Sequence, residues 1–153
     1  METPLLSLTI DAEDRSYFPG ETLQGEYQID AVDADDLRTI ELSVLWRTEG
    51  KGDEDFGVHY FLRRERTDEG APALWRSFST LLPETPLSYD GVIVKIHWLA
   101  RLRVYMRSGQ DFVEERPFRL GDLPPAAPPE TPAEKPVVAP PRGGAKANDA
   151  AKT

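Results

Sequence analysis

Ser88, Asp90 and His97 stand close together in the chain, and a serine, a carboxylate and an imidazole are the parts of a hydrolytic triad. A nucleophile also needs an oriented base and a site for the oxyanion. No nucleophile elbow surrounds Ser88. Ser88-Tyr-Asp-Gly91 instead has the composition of a turn, in which Ser and Asp bond their own backbone. No catalytic residue is therefore expected. His59, the other histidine, falls in a strand pattern. The absence of cysteine removes thiolate catalysis, disulfides and Cys-based zinc sites together.

Two acidic groups remain, Asp30, Asp33, Asp35 and Asp36 at one turn and Asp53, Glu54 and Asp55 at another. Calcium takes six to eight oxygens, and loops at one end of a β-sandwich can supply them jointly. Neither group matches a recognised calcium loop, so solvated turns are expected, with no metal and no other cofactor. Basic residues also gather twice, at Arg63, Arg64 and Arg66 and at Lys95, Arg101, Arg103 and Arg107. Lys95, Arg101 and Arg103 share one strand phase, opposite the apolar one. They form a possible partner-binding basic face for acidic or phosphorylated segments. The competing expectation is that both runs serve as salt-bridge partners for Glu65, Asp68, Glu69 and the acids between Asp111 and Glu115.

These residues need a frame, and the stretch that organises it is Pro86-Leu-Ser-Tyr-Asp-Gly91 with the apolar run Val92 to Arg107 behind it. Val92, Val94, Ile96, Trp98, Ala100, Leu102, Val104 and Met106 alternate with a mixed set, the period of a strand with one side on a core. At about 3.3 Å per residue the run would span roughly 50 Å, so a bend or bulge is expected inside it. Shorter alternating stretches surround it. They begin at Leu6, Leu23, Ile40, Phe56 and Leu74 and end with Phe112 to Leu120. Phe56, Val58, Tyr60 and Leu62 read as one face. Pro19-Gly20, the Asp33–Asp36 group, Gly70 to Pro72 and Ser108-Gly-Gln110 are the turns between them. Gly25 marks a bulge or a close backbone approach, and Pro117 an edge strand. No segment holds a helical period. About seven short strands imply an all-β, immunoglobulin-like antiparallel β-sandwich.

Residues 122–153 differ in kind, with eight of the fourteen prolines and no aromatic residue. They are expected to be a disordered Pro/Ala-rich tail, a linker or a ligand for an aromatic-grooved domain, beyond a sandwich over residues 1–121. The tail holds four acids and four bases, so the net charge of −9 lies wholly on the body. That charge argues against nucleic acid and anionic membranes as partners. No apolar run reaches the roughly 20 residues of a spanning helix, and the N-terminus lacks a signal pattern. A soluble, cytoplasmic protein is expected.

Phe18-Pro-Gly-Glu-Thr-Leu-Gln-Gly-Glu-Tyr27 resembles the N-terminal pattern of the arrestin-like family, in which an aromatic and Gly-Glu precede a strand with a spaced glycine. Leu37 to Gly52 is similar to that family's next strand and loop. Leu82-Pro83, Pro86 to Gly91 and Val94-Lys-Ile-His-Trp98 look like its later Pro, Ser-x-x-Gly and aromatic-strand signature. The resemblance covers roughly Leu5 to Gly121. It implies an immunoglobulin-like sandwich acting as a non-enzymatic scaffold or adaptor for a protein partner. It also implies a bacterial relative with one sandwich where the family usually has two. The alternatives are a structural subunit of a larger assembly and a ligand- or calcium-binding sandwich.

Overall fold

The computed structural model describes residues 3–12 and 14–126. The strands are β1 (Leu5–Ile10), β2 (Thr22–Asp30), β3 (Leu37–Gly50), β4 (Phe56–Glu65), β5 (Trp75–Leu81), β6 (Tyr89–Asp90), β7 (Val94–Met106) and β8 (Asp111–Phe118). One sheet runs β1-β2-β5. The other runs β4-β3-β7-β6, with β8 also paired to β7. Every strand pairing is antiparallel. The all-β sandwich is present as expected, and the additional strand is the two-residue β6. The only helix among the described residues is the 3-10 turn Ala34–Asp36, where the Asp33 carboxylate accepts the Asp35 N–H at 3.0 Å. Much of the tail expected over residues 122–153 lies outside the described residues.

The core sits between the sheets because each strand has one dry phase. Leu8 and Ile10, Leu23, Tyr27 and Ile29, and Ile40, Leu42 and Val44 are buried there. Phe78 joins them from β5, and Trp98, Ala100, Leu102, Val104 and Met106 from β7. Burying side chains of this size is worth about 1.5–3 kcal/mol each before chain entropy is counted. The Trp98 indole N–H donates to the Pro86 carbonyl at 2.7 Å, so its one polar atom is satisfied inside the core.

Three details differ from the sequence reading. The register of β7 is continuous against β8, and the irregularities lie at Arg38 of its neighbour β3 and, one strand further, at His59 of β4 where it pairs with β3. The organising run also begins pairing with β3 only at Val94, while Val92 and Ile93 precede the strand, exposed. β7 is then 13 residues, about 43 Å, which removes the length that called for a bulge. Finally, Phe56 and Val58 do not share a face with Tyr60 and Leu62. The extra residue His59 shifts the register, so Val58 pairs with outward Leu45 and Tyr60 with inward Val44.

The two long sides of the sandwich are built differently. On one, the backbones of Tyr17 and Leu120 lie side by side. Tyr17 N–H donates to Arg119 O at 2.9 Å and Gly121 N–H to Tyr17 O at 2.7 Å. The Tyr17 hydroxyl donates to Asp11 at 2.5 Å and accepts the Ala12 N–H. Burial first, then that bond to Asp11, holds its pKa well above the ordinary tyrosine range. Arg116 reaches across to the Leu8 carbonyl at 2.9 Å. On the other side β4 and β5 are both edge strands. They are bridged at one end by His59, whose Nε2 lies 2.7 Å from Leu81 O and 3.2 Å from Thr80 Oγ1.

Gly25 is a close approach and not a bulge, since its pairing on both sides is regular. A Cβ there would sit 2.4 Å from Thr9 O and 2.6 Å from the Phe78 ring. Gly25→Ala is therefore expected to cost about 1–3 kcal/mol, the range of overpacked cores. Urea unfolding reads this directly, and an unchanged midpoint would show that β1 and Phe78 move aside freely.

Candidate functional site

Ser88, Asp90 and His97 line one shallow cavity of about 290 Å³, yet they do not act on each other. The Ser88 hydroxyl, 4 % exposed, accepts the Leu120 N–H at 2.8 Å, and Ser88 N–H donates to Leu120 O at 2.7 Å. His97 Nε2 faces Glu49 at 2.7 Å, and Asp90 faces Lys95 at 3.4 Å. The serine ties the Pro86–Gly91 segment to Leu120, just past the end of β8, so its hydroxyl serves a distant backbone and not its own turn as the sequence context implied. Among the described residues, no three carboxylates or imidazoles gather into a metal-ligand set.

The outward face of the five-stranded sheet carries Lys95, Arg101 and Arg103, and the register explains their surroundings. Arg101 stands opposite Glu115 on β8, and the two pair at 2.8 Å. Arg103 lies between Glu41 of β3 and Val113 of β8, with Asp111 at 3.5 Å. Its buried Nε makes no hydrogen bond, so that attraction is charge without a formed bond. Glu41 also takes Arg63 of β4 in an ion pair. Lys95 pairs with Asp90, at the far end of the strand from Arg103. Arg101 and Arg103 thus lie together with alternating acids, and Lys95 lies apart. Exposed pairs of this kind are worth about 0–1 kcal/mol each, and they leave little surplus positive charge.

The same face holds a group that the sequence reading missed. Phe56, Val58 and Phe61 of β4 are 68 %, 51 % and 52 % exposed. They flank Leu45 and Leu99, which are buried on this outer side. The β4 bulge creates the group by turning Phe56 and Val58 outward alongside Phe61. Its position is an edge of the sheet, where among the described residues no strand pairs with the outer backbone N–H and C=O groups of β4.

No protein-family model matches the chain, and no curated protein matches its sequence. A solved structure does match: Spo0M, a sporulation control protein from Bacillus subtilis, aligns with a TM-score of 0.58 at 18% identity. The alignment covers 80% of this chain and 51% of Spo0M, so the chain spans about half the length of that protein. At this identity the likeness speaks for the fold alone. It supports the arrestin-like sandwich that Phe18–Tyr27 and Pro86–Trp98 resemble.

Ser88→Ala tests this structural role against a catalytic one. It leaves the buried Leu120 N–H unpaired, and a loss of about 1–3 kcal/mol is expected in chemical denaturation. A variant as stable as the parent would free the hydroxyl for some other task.

Proposed function

We propose that this chain is a non-enzymatic protein-interaction module, an arrestin-like scaffold or adaptor working in the cytoplasm. The observation that carries the reading is the free edge of β4 with Phe56, Val58 and Phe61 exposed beside it. Large apolar side chains grouped next to an unpaired strand edge are a docking surface in chemical terms. The edge supplies main-chain hydrogen bonds, and the apolar group supplies burial. The partner that fits is an extended protein segment adding to β4 as a further strand, with apolar side chains falling on Val58 and Phe61. Within this reading the sandwich spans residues 1–121, and residues 122–153 serve as a linker or a second recognition element.

Lys95, Arg101 and Arg103 enter the proposal as a secondary surface. Their partners are acids on neighbouring strands, so they set the orientation of an incoming chain more than they attract it. A second reading rests on length. The chain aligns with about half of Spo0M, and in this reading it is a structural subunit that assembles with another copy. The mass in solution separates the two readings, since only the subunit reading needs a stable oligomer.

The direct test compares the full chain with Val58→Lys/Phe61→Glu and with Lys95→Glu/Arg101→Glu/Arg103→Glu. Captured proteins are located by cross-links to β4. Val58 and Phe61 are exposed, so replacing them leaves the fold nearly unchanged. Loss of an anchor pair is expected to weaken the β4-linked partner by at least about tenfold. Equal capture by the β4 variant and the parent would contradict the proposal. Loss on charge reversal alone would move recognition to the basic face.

A further inference from the structure

The open side of the sandwich contains a second feature, independent of the outward face. Between β4 and β5 lies a cleft of about 420 Å³, lined by Gln24, Tyr60, Arg64, Arg76, Ser77 and Ser79 over a floor of Gly25 and Phe78. Its volume lies in the range of small-molecule sites. No acidic residue lines it, although the chain has 27 acids to 18 bases.

Arg64 and Arg76 occupy the inward phases of their strands. Arg64 pairs in register with inward Ile40, and Arg76 with buried Tyr27. Two edge strands, one from each sheet, therefore turn an arginine into the same gap. Among the described residues neither arginine makes a salt bridge, and the hydrogen bond that Arg64 makes goes to the Arg63 carbonyl. Arg15, Arg63, Arg101, Arg103 and Arg116 each have a carboxylate partner, whereas Arg38, Arg47, Arg66, Arg107 and Arg119 also form no salt bridge among the described residues, so what sets Arg64 and Arg76 apart is the gap they share. The two positive charges also converge on one buried hydroxyl. Burial pushes the Tyr27 pKa up, and Arg76 and then Arg64 pull against that rise.

Inward charges on edge strands protect a sheet from pairing with other copies, and a single charge per edge is enough for that. One arginine on each of the two edges meets that need, but edge protection alone does not require that the two share one gap with the Tyr60 hydroxyl and, among the described residues, no acid. Arginine presents a planar set of donors suited to oxyanions, and with its charge unpaired those donors remain available.

We infer that this cleft is a binding site for a small phosphate-class oxyanion, held by Arg64 and Arg76 with the Tyr60 hydroxyl as a neutral donor, while Gln24, Ser77 and Ser79 border it from the outward phase of their strands. Inorganic phosphate and a phosphate monoester share the chemistry that the arginines recognise. The volume exceeds what a bare phosphate fills, which leaves room for a hydroxylated body beside the anion.

The experiment is a titration of the full chain followed by NMR chemical shifts at constant pH and ionic strength. The probes are inorganic phosphate and glycerol 3-phosphate, with glycerol and chloride as controls. Shifts are expected at β4 and β5 with either phosphate probe and not with the controls, and the tighter of the two identifies the source. Arg76→Gln and Arg64→Gln are each expected to weaken binding about tenfold, the size of one lost charge-assisted bond. Arg15→Gln, which removes an arginine already paired with Glu21, is expected to leave it unchanged. Absence of shifts at β4 and β5, or equal binding by both cleft variants and the parent, would overturn the inference. An equal loss in Arg15→Gln would also overturn it, by showing a response to total charge.

Discussion

The structure depends on the backbone junction at Tyr17 and Leu120. A two-sheet sandwich has two long sides, and its sheets stay in register only if at least one is fastened. Here Tyr17, Arg119 and Gly121 exchange main-chain hydrogen bonds, Ser88 adds a bond in each direction to Leu120, and Arg116 reaches the Leu8 carbonyl. Tyr17 and Phe118 meet edge to face at 5.5 Å beneath this junction, and Phe118 packs in turn on Trp98 at 5.9 Å. The junction therefore connects the β1–β2 link, the end of β8, the Pro86–Gly91 turn and the centre of β7. Tyr17, Ser88, Leu120 and Gly121 are buried, Arg116, Phe118 and Arg119 are half-buried, and the main-chain groups of this junction are bonded to one another, so the side offers few unpaired groups to a partner.

The opposite side follows from that arrangement. With the sheets fastened along one side, β4 and β5 are left as edges and need only the His59 bridge to hold their spacing. The outward face near β4 is apolar and the inward gap is basic, because the bulge at His59 lets one strand present Val58 to solvent and Arg64 to the cleft. An apolar group and a basic gap are thus placed on one margin by one extra residue. The ion pairs on β3, β7 and β8 complete the contrast. They fill the middle of the outer face with matched charges and leave the apolar group at its rim.

Much of this architecture was legible in the residues. Trp98 to Met106 alternate cleanly because one face is fully dry, and Leu8, Ile10, Leu23 and Tyr27 do the same in shorter strands. Pro117 on the edge strand β8 and Gly25 under Phe78 followed from backbone chemistry. The β4 surface was not legible, since alternation over Phe56 to Leu62 looks unbroken and nothing local marks His59 as the extra residue. Val92 and Ile93 misled for a related reason. They are β-branched and continue the alternation, but strand length is decided by where a neighbour ends. The arginine cleft was out of reach in principle, because Arg64 and Arg76 become neighbours only through the pairing of two different sheets. Lys95, Arg101 and Arg103 share the outward phase; Arg101 and Arg103 face Glu115 and Asp111, which the sequence named, while Lys95 pairs with Asp90, which it did not.

The central claim is that the β4–β5 side is open and available while the Tyr17–Leu120 side is fastened. Amide hydrogen exchange on the full chain tests it most directly, residue by residue. The account predicts slow exchange at Tyr17, Leu120 and the middle of β7, with much faster exchange at the outward-facing amides of β4 and β5. Protection along β4 and β5 equal to that of β7 would mean that another segment or another copy already covers this margin. That result would contradict the account.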